Sequence, residues 1–209
     1  MLFLWFAMAQ ANPLCSDTSV ELQKTLQIVQ EKLSTEDCTS TLNALHTVNS
    51  LNLSQAGISN IQPLKEAKQL RVLIISHNQI EDLSPLASLS LRWLDISYNP
   101  ISDIAPLAAM HDLETLWASH MRLTHLFPIQ GLQNIRYMSF EYNTIEDISS
   151  FHSIQTIEFL GLAQNEIKDF RVLESNTNLR FFSLKGNPVV HCPEKKGVLR
   201  NICQKELER

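Results

Sequence analysis

Glycine, cysteine and positive charge are all scarce in this chain. Five glycines in 209 residues leave no glycine-rich loop of the kind that cradles phosphates. Lys and Arg number 17 against 22 Asp and Glu, a net charge of -5. That balance supplies no basic surface for a phosphate backbone and argues against nucleic-acid binding. No apolar run approaches the roughly 20 residues that a membrane-spanning helix needs. Low-complexity segments are absent, so no long disordered tail is expected. No nucleophile–base arrangement and no zinc-site spacing occurs, so the sequence carries no case for an enzyme, a metal or a cofactor.

What the chain does have is one repeated pattern, L-x-x-L-x-L-x-x-N-x-I-x-x-I-x-x-L. Its first apolar position falls at Val48, Leu70, Leu91, Leu113, Ile135, Ile157 and Leu179, in steps of 22, 21, 22, 22, 22 and 22 residues. A fixed period of this size means a solenoid whose turns stack side by side. Because each turn packs only on its neighbours, the whole length fits one domain.

Alternating apolar residues predict one short strand per repeat: Leu51/Leu53, Leu73/Ile75, Leu94/Ile96, Leu116/Ala118, Met138/Phe140, Leu160/Leu162 and Phe182/Leu184. An asparagine follows five of them, at Asn78, Asn99, Asn143, Asn165 and Asn187. Turned inward, such residues can satisfy backbone groups of adjacent turns and form a ladder. Ala56 and Met121 interrupt it. Pro85 and Pro106 suit the start of a short 3-10 or helical turn on the returning side. The shortened step lies at Leu89-Ser90-Leu91.

The ends differ from the middle. Residues 2–8 are apolar and Ala9-Gln10-Ala11 is an A-x-A signature, so residues 1–11 read as a secretory signal peptide cut after Ala11. No Lys or Arg precedes the apolar stretch, and a buried N-terminal segment is the alternative. Residues 12–47 read as a helical N-terminal cap. One amphipathic helix is expected over 16–33, capped by Ser16 or Asp17, with Val20, Leu22, Leu26, Val29 and Leu33 inward. A second is expected over about 39–46. Repeats fill 48–190, and 191–209 form a C-terminal cap with a helix over 194–204 whose Val198, Leu199 and Ile202 cover the last repeat. The four cysteines bracket the repeats as two pairs, Cys15 with Cys38 and Cys192 with Cys203, which suggests two disulfides and an oxidising compartment.

These repeats resemble the 22-residue class of leucine-rich repeats found in bacterial internalins and in a cytosolic phosphatase regulator. The resemblance covers about 48–190. The segment Gly186-Asn187-Pro188-Val189-Val190-His191-Cys192-Pro193, with Cys203, is similar to the cysteine-bearing cap of extracellular members. The resemblance implies an α/β solenoid: a leucine-rich repeat horseshoe with a parallel concave β-sheet, a helical N-terminal cap and a disulfide-bearing C-terminal cap. It also implies a secreted or periplasmic, internalin-like binding module.

Residues flanking each buried strand pair stack into outward columns. The first is Ser50, Val72, Trp93, Thr115, Tyr137, Phe159, Phe181; the second is Asn52, Ile74, Asp95, Trp117, Ser139, Gly161, Ser183. A third runs Ser54, Ser76, Ser97, Ser119, Glu141, Ala163, Lys185. Val72, Ile74, Trp93, Trp117, Tyr137, Phe159 and Phe181 are expected to make one apolar patch that holds a protein partner. Asp95, Glu141 and Lys185 are expected to set the partner's register. Two readings compete: simple cross-strand packing, and a structural subunit whose patch another copy or subunit permanently covers. Arg71, Arg92, Arg136 and Arg180, with Glu114 and Glu158, form a rim before the strands. His77 and His120 share an outward position two repeats apart, too far to share a metal ion.

Overall fold

A computed structural model describes residues 12–195 and 197–207. The expected signal segment, 1–11, lies outside them. The chain enters through a single helical turn, α1 (Pro13–Ser16), capped by the Asn12 side chain on the Leu14 N–H. It then breaks and enters α2 (Val20–Leu33). The helix expected over 16–33 is present as one piece but starts four residues later, at Val20. Asp17 is the cause: its carboxylate accepts the Ser19 N–H at 2.8 Å, a local turn that competes with helix. Leu22, Leu26 and Val29 are buried as expected, whereas Val20 opens the helix facing solvent at 76% exposure. A reciprocal capping box starts α3 (Cys38–Leu45). Asp37 accepts the Ser40 N–H at 2.8 Å and Ser40 Oγ accepts the Asp37 N–H at 3.1 Å.

Seven three-residue strands follow: β1 (Ser50–Asn52), β2 (Val72–Ile74), β3 (Trp93–Asp95), β4 (Thr115–Trp117), β5 (Tyr137–Ser139), β6 (Phe159–Gly161) and β7 (Phe181–Ser183). They pair in parallel, in chain order, as one sheet. The register aligns Ser50, Val72, Trp93, Thr115, Tyr137, Phe159 and Phe181 in one column. Short 3-10 helices occupy the opposite side: Gln62–Glu66, Ser84–Leu86, Ala105–Ala109, Phe127–Gly131, Ser149–Ser153 and Arg171–Ser175. The repeat with the 21-residue step has the three-residue one. An aspartate two residues ahead starts four of these turns by accepting a backbone N–H: Asp82 from Ser84, Asp103 from Ala105, Asp147 from Ser149 and Asp169 from Arg171. Between sheet and 3-10 helices lies a continuous apolar core that runs the length of the repeats.

The asparagines hold successive turns together. Asn143 Nδ2 donates to Ala118 O at 3.0 Å and Phe140 O at 2.9 Å, while its Oδ1 accepts from Met121 N and Leu123 N, both at 3.2 Å. Asn78, Asn99, Asn165 and Asn187 repeat the geometry. Each spans from its own turn to the one before. At position 121 methionine offers Ile101 N no such acceptor, so one rung is missing. The first turn has no predecessor, and α2 takes over that role. Lys24 Nζ donates to Gly57 O and Thr25 Oγ1 to Asn60 O, each at 2.6 Å.

Disulfides join Cys15 to Cys38 and Cys192 to Cys203, each with Cα atoms 5.7 Å apart. The first ties α1 to α3 and the second ties the last loop to α4 (Val198–Leu207). Cys203 is fully buried, but Val198 is 66% exposed and does not cover the last repeat as its helical spacing suggested. Val198 opens α4, and Leu199 and Ile202 are half-buried.

Asn143→Ala is expected to strand two buried N–H groups and a buried carbonyl. The loss is about 3–5 kcal/mol, read as a drop in the urea midpoint. A midpoint unchanged from wild type would mean that the ladder does not support the stack.

Candidate functional site

The proposed anchors Val72, Ile74, Trp93, Trp117, Tyr137, Phe159 and Phe181 lie half-buried or exposed on the sheet, but not as one continuous patch. Thr115, only 7% exposed, separates Trp93 from Tyr137 in the first column. Asp95 separates Ile74 from Trp117 in the second. Val72, Ile74 and Trp93 therefore form one group on β2 and β3. Trp117 and Phe159 form another, their rings meeting edge to face with centroids 5.7 Å apart at 76°. That contact reaches across β5, where Ser139 is small enough to pass beneath it.

Tyr137 joins neither group. Arg136 lays its guanidinium over the Tyr137 ring, 5.6 Å from the centroid, and the hydroxyl reaches Glu158 at 3.4 Å. Phe181, on the last strand, is 68% exposed. Trp93, Tyr137 and Phe181 make no ring contact with the Trp117–Phe159 pair among the described residues. Asp95 is half-buried and accepts the Ser97 N–H at 3.0 Å, a bond that closes the strand end. Lys185 is exposed, and the Glu141 side chain lies over Gly161.

The rim pairs within itself. Arg92 faces Glu114 at 3.7 Å, and Arg136 forks onto Glu158, with Nε 2.8 Å from Oε1. Arg71 instead donates to Leu70 O at 3.0 Å. The Arg136 fork holds the Glu158 carboxyl below the usual carboxylate range, and Glu158 raises Arg136 in return. A depressed folded value contributes stability above the unfolded carboxylate pKa, and this is lost as pH falls through the folded one.

Beside the three columns runs a fourth, whose backbone conformation and ring stacking the sequence does not announce. The residue before each ladder position, including those filled by Ala56 and Met121, adopts the left-handed conformation: Gln55, His77, Tyr98, His120, Tyr142 and Gln164 have φ between 55° and 58°, and Gly186 has 77°. All but Gly186, in the last turn, donate their N–H to the next turn, as Tyr98 does to Ser119 O at 2.9 Å, so the column keeps the sheet's register. Four of its rings stack. His77, Tyr98, His120 and Tyr142 have successive centroids 4.0, 4.1 and 4.1 Å apart, within 15° of parallel. The 22-residue spacing placed these residues in line. The spacing does not show that the rings stack or that the backbone beneath them is left-handed. Ser76 and Ser97, expected to point outward in the third column, are buried at 6% and 7% exposure.

Among the described residues, no group of three or more His, Cys, Asp or Glu converges to hold a metal ion, and no helix is long and apolar enough to cross a membrane.

A leucine-rich repeat family model matches residues 90–110. No curated protein matches the chain. Among solved structures the chain is similar to internalin C2 of Listeria monocytogenes: TM-score 0.63, 25% identity, 80% of this chain and 85% of that one covered. A second internalin of that species (inlF) gives a TM-score of 0.63 at 29% identity, covering 72% of this chain and 51% of that one. A leucine-rich repeat protein of Leptospira interrogans gives 0.68 at 21% identity, covering 80% and 43%, and shares the fold alone. The chain thus spans about half the inlF chain and less than half of the Leptospira one. Sheet, caps, asparagine ladder and these likenesses define a leucine-rich repeat solenoid. Within that class the chain resembles the internalins. Such folds commonly serve protein–protein interaction and are typically not enzymes. The two disulfides and the internalin-like neighbours are consistent with an extracellular protein.

Two expectations follow. Tyr98→Ala loses two stacked contacts on a strained backbone and is expected to cost about 2 kcal/mol; Tyr98→Asn, which tolerates the left-handed conformation, costs less. Denaturant midpoints of the pair check this. Arg136→Gln is expected to return the Glu158 titration upward toward the usual carboxylate range, as followed by NMR of its side-chain carboxyl carbon.

Proposed function

We propose that the chain is an exported binding module that holds a protein partner on the concave, outward face of its sheet. The observation that carries this reading is the exposure of large aromatics on a rigid sheet: Trp93 at 43%, Tyr137 at 37% and Phe181 at 68%. Their strands are locked by backbone pairing and by the asparagine ladder, so little conformational entropy is lost when a partner docks. Trp93, Trp117, Tyr137, Phe159 and Phe181 act as anchors, with Val72 and Ile74 beside Trp93. Asp95, Glu141 and Lys185 orient the partner. The division of the aromatics into two groups fits a partner that makes two separate contacts.

Export is supported by the A-x-A signature at Ala9-Gln10-Ala11 and by the two disulfides, which persist in an oxidising compartment. In this reading residues 1–11 are removed, 12–47 and 191–209 cap the solenoid, and 48–190 bind.

The test is a comparative pull-down with wild type and the Trp93→Ala/Trp117→Ala double variant, read by quantitative mass spectrometry. Circular dichroism first establishes that the variant is folded. A partner kept by wild type and lost by the variant is the expected result. A specific partner that both hold equally overturns the concave face as the binding surface.

A further inference from the structure

The acidic groups on and beside the outward face are mostly committed. Glu114 faces Arg92, Glu158 is held by Arg136, and Asp95 accepts the Ser97 N–H. Glu141 differs: among the described residues its carboxylate accepts no hydrogen bond and makes no ion pair. Lys185, two strands further along the same column, does not pair with it.

The position of that carboxylate follows from Gly161. A Cβ built at Gly161 would lie 3.1 Å from Glu141 Oε1, 3.1 Å from its Cγ and 2.8 Å from Ser139 Oγ. The carboxylate therefore lies over the bare backbone of β6, in the space that any side chain at 161 would take. Phe159 stands two residues earlier on the same face of the same strand, about 6.6 Å along it. Its ring meets Trp117 edge to face. Ser139 and Gly161, both buried, form a floor of small residues between these groups. An aromatic pair and an uncompensated carboxylate thus lie on either side of that floor.

We propose that Glu141, Trp117 and Phe159 form a seat for a lysine or arginine side chain of the protein partner. The proposal rests on the concave-face reading and names the chemistry of one contact within it. Charge complementarity selects the occupant. A basic head pairs with the carboxylate while its alkyl stem and charge lie against aromatic faces. An apolar side chain seated there would desolvate the carboxylate without pairing it, and an acidic one would repel it. Nearby cations on the protein cannot fill the role, since Arg92 and Arg136 are held in the rim.

The probe is N-acetyl-lysine methylamide, with N-acetyl-norleucine methylamide as its uncharged counterpart. Each is titrated into the protein while the Trp117 indole N–H is followed by NMR. The expected result is a saturable shift with the lysine derivative alone. Affinity is expected to fall about tenfold in Glu141→Gln, the loss of one charge-assisted contact. Gly161→Ala, which pushes the carboxylate aside, is expected to weaken binding similarly, while Glu166→Gln, on an exposed loop beyond the sheet, leaves it unchanged. Equal shifts from both compounds, no saturable shift, or undiminished lysine binding by Glu141→Gln overturns the seat. The partner experiment with Trp93 and Trp117 does not use this probe, so the seat and the binding face fail separately.

Discussion

Each turn of a stacked coil exposes backbone polar groups on two sides, and burying them unpaired costs more than the packing of one turn returns. The ladder asparagines answer that constraint. Each Asn sits at the bend after a strand and bonds simultaneously to its own turn and to the one before. The core leucines and isoleucines supply the apolar burial, but the asparagines determine how closely one turn follows the next. The same requirement explains both ends. The first turn takes hydrogen bonds from Lys24 and Thr25 of α2, and the last is closed by a disulfide-tied loop and α4. Position 121, where methionine replaces the amide, is the one interior turn held by strand pairing and packing without an asparagine.

Regular spacing has a consequence for the surface. Residues at equivalent positions stand one strand apart, about 4.8 Å, close enough for side chains to interact along a column. Where the residues are flat, as at His77, Tyr98, His120 and Tyr142, they stack into a continuous plate. Where one is long and its neighbour lacks a side chain, as at Glu141 and Gly161, the long one leans across. Where charges alternate, as at Arg136 and Glu158, they pair. The outward face is thus a set of column-wise solutions laid on one scaffold, and its binding chemistry varies along the sheet while the backbone does not.

Much of this was legible in the sequence. The period alone gave strand positions and pairing register, because a parallel solenoid allows only one way to place equivalent residues side by side. Cysteine pairing was legible because each pair flanks one end. Local competition was harder to see. Asp17 looks like a helix cap but closes a turn two residues on, and Val20 and Val198 fit an apolar stripe yet open their helices facing solvent. At the first residue of a helix no preceding turn lies beside the side chain, so helical spacing alone does not bury Val20 or Val198.

What the sequence determined by itself was the scaffold: seven turns, their register, the ladder and which residues share each column. Those features depend on contacts between equivalent positions, which repetition makes visible. What only the tertiary structure decided was where the outward side chains went. Tyr137 turned to the rim, Trp117 reached over Ser139 to Phe159, and Glu141 settled on Gly161. Each choice depends on the size and charge of residues one or two turns away at different column positions, and no period encodes those combinations.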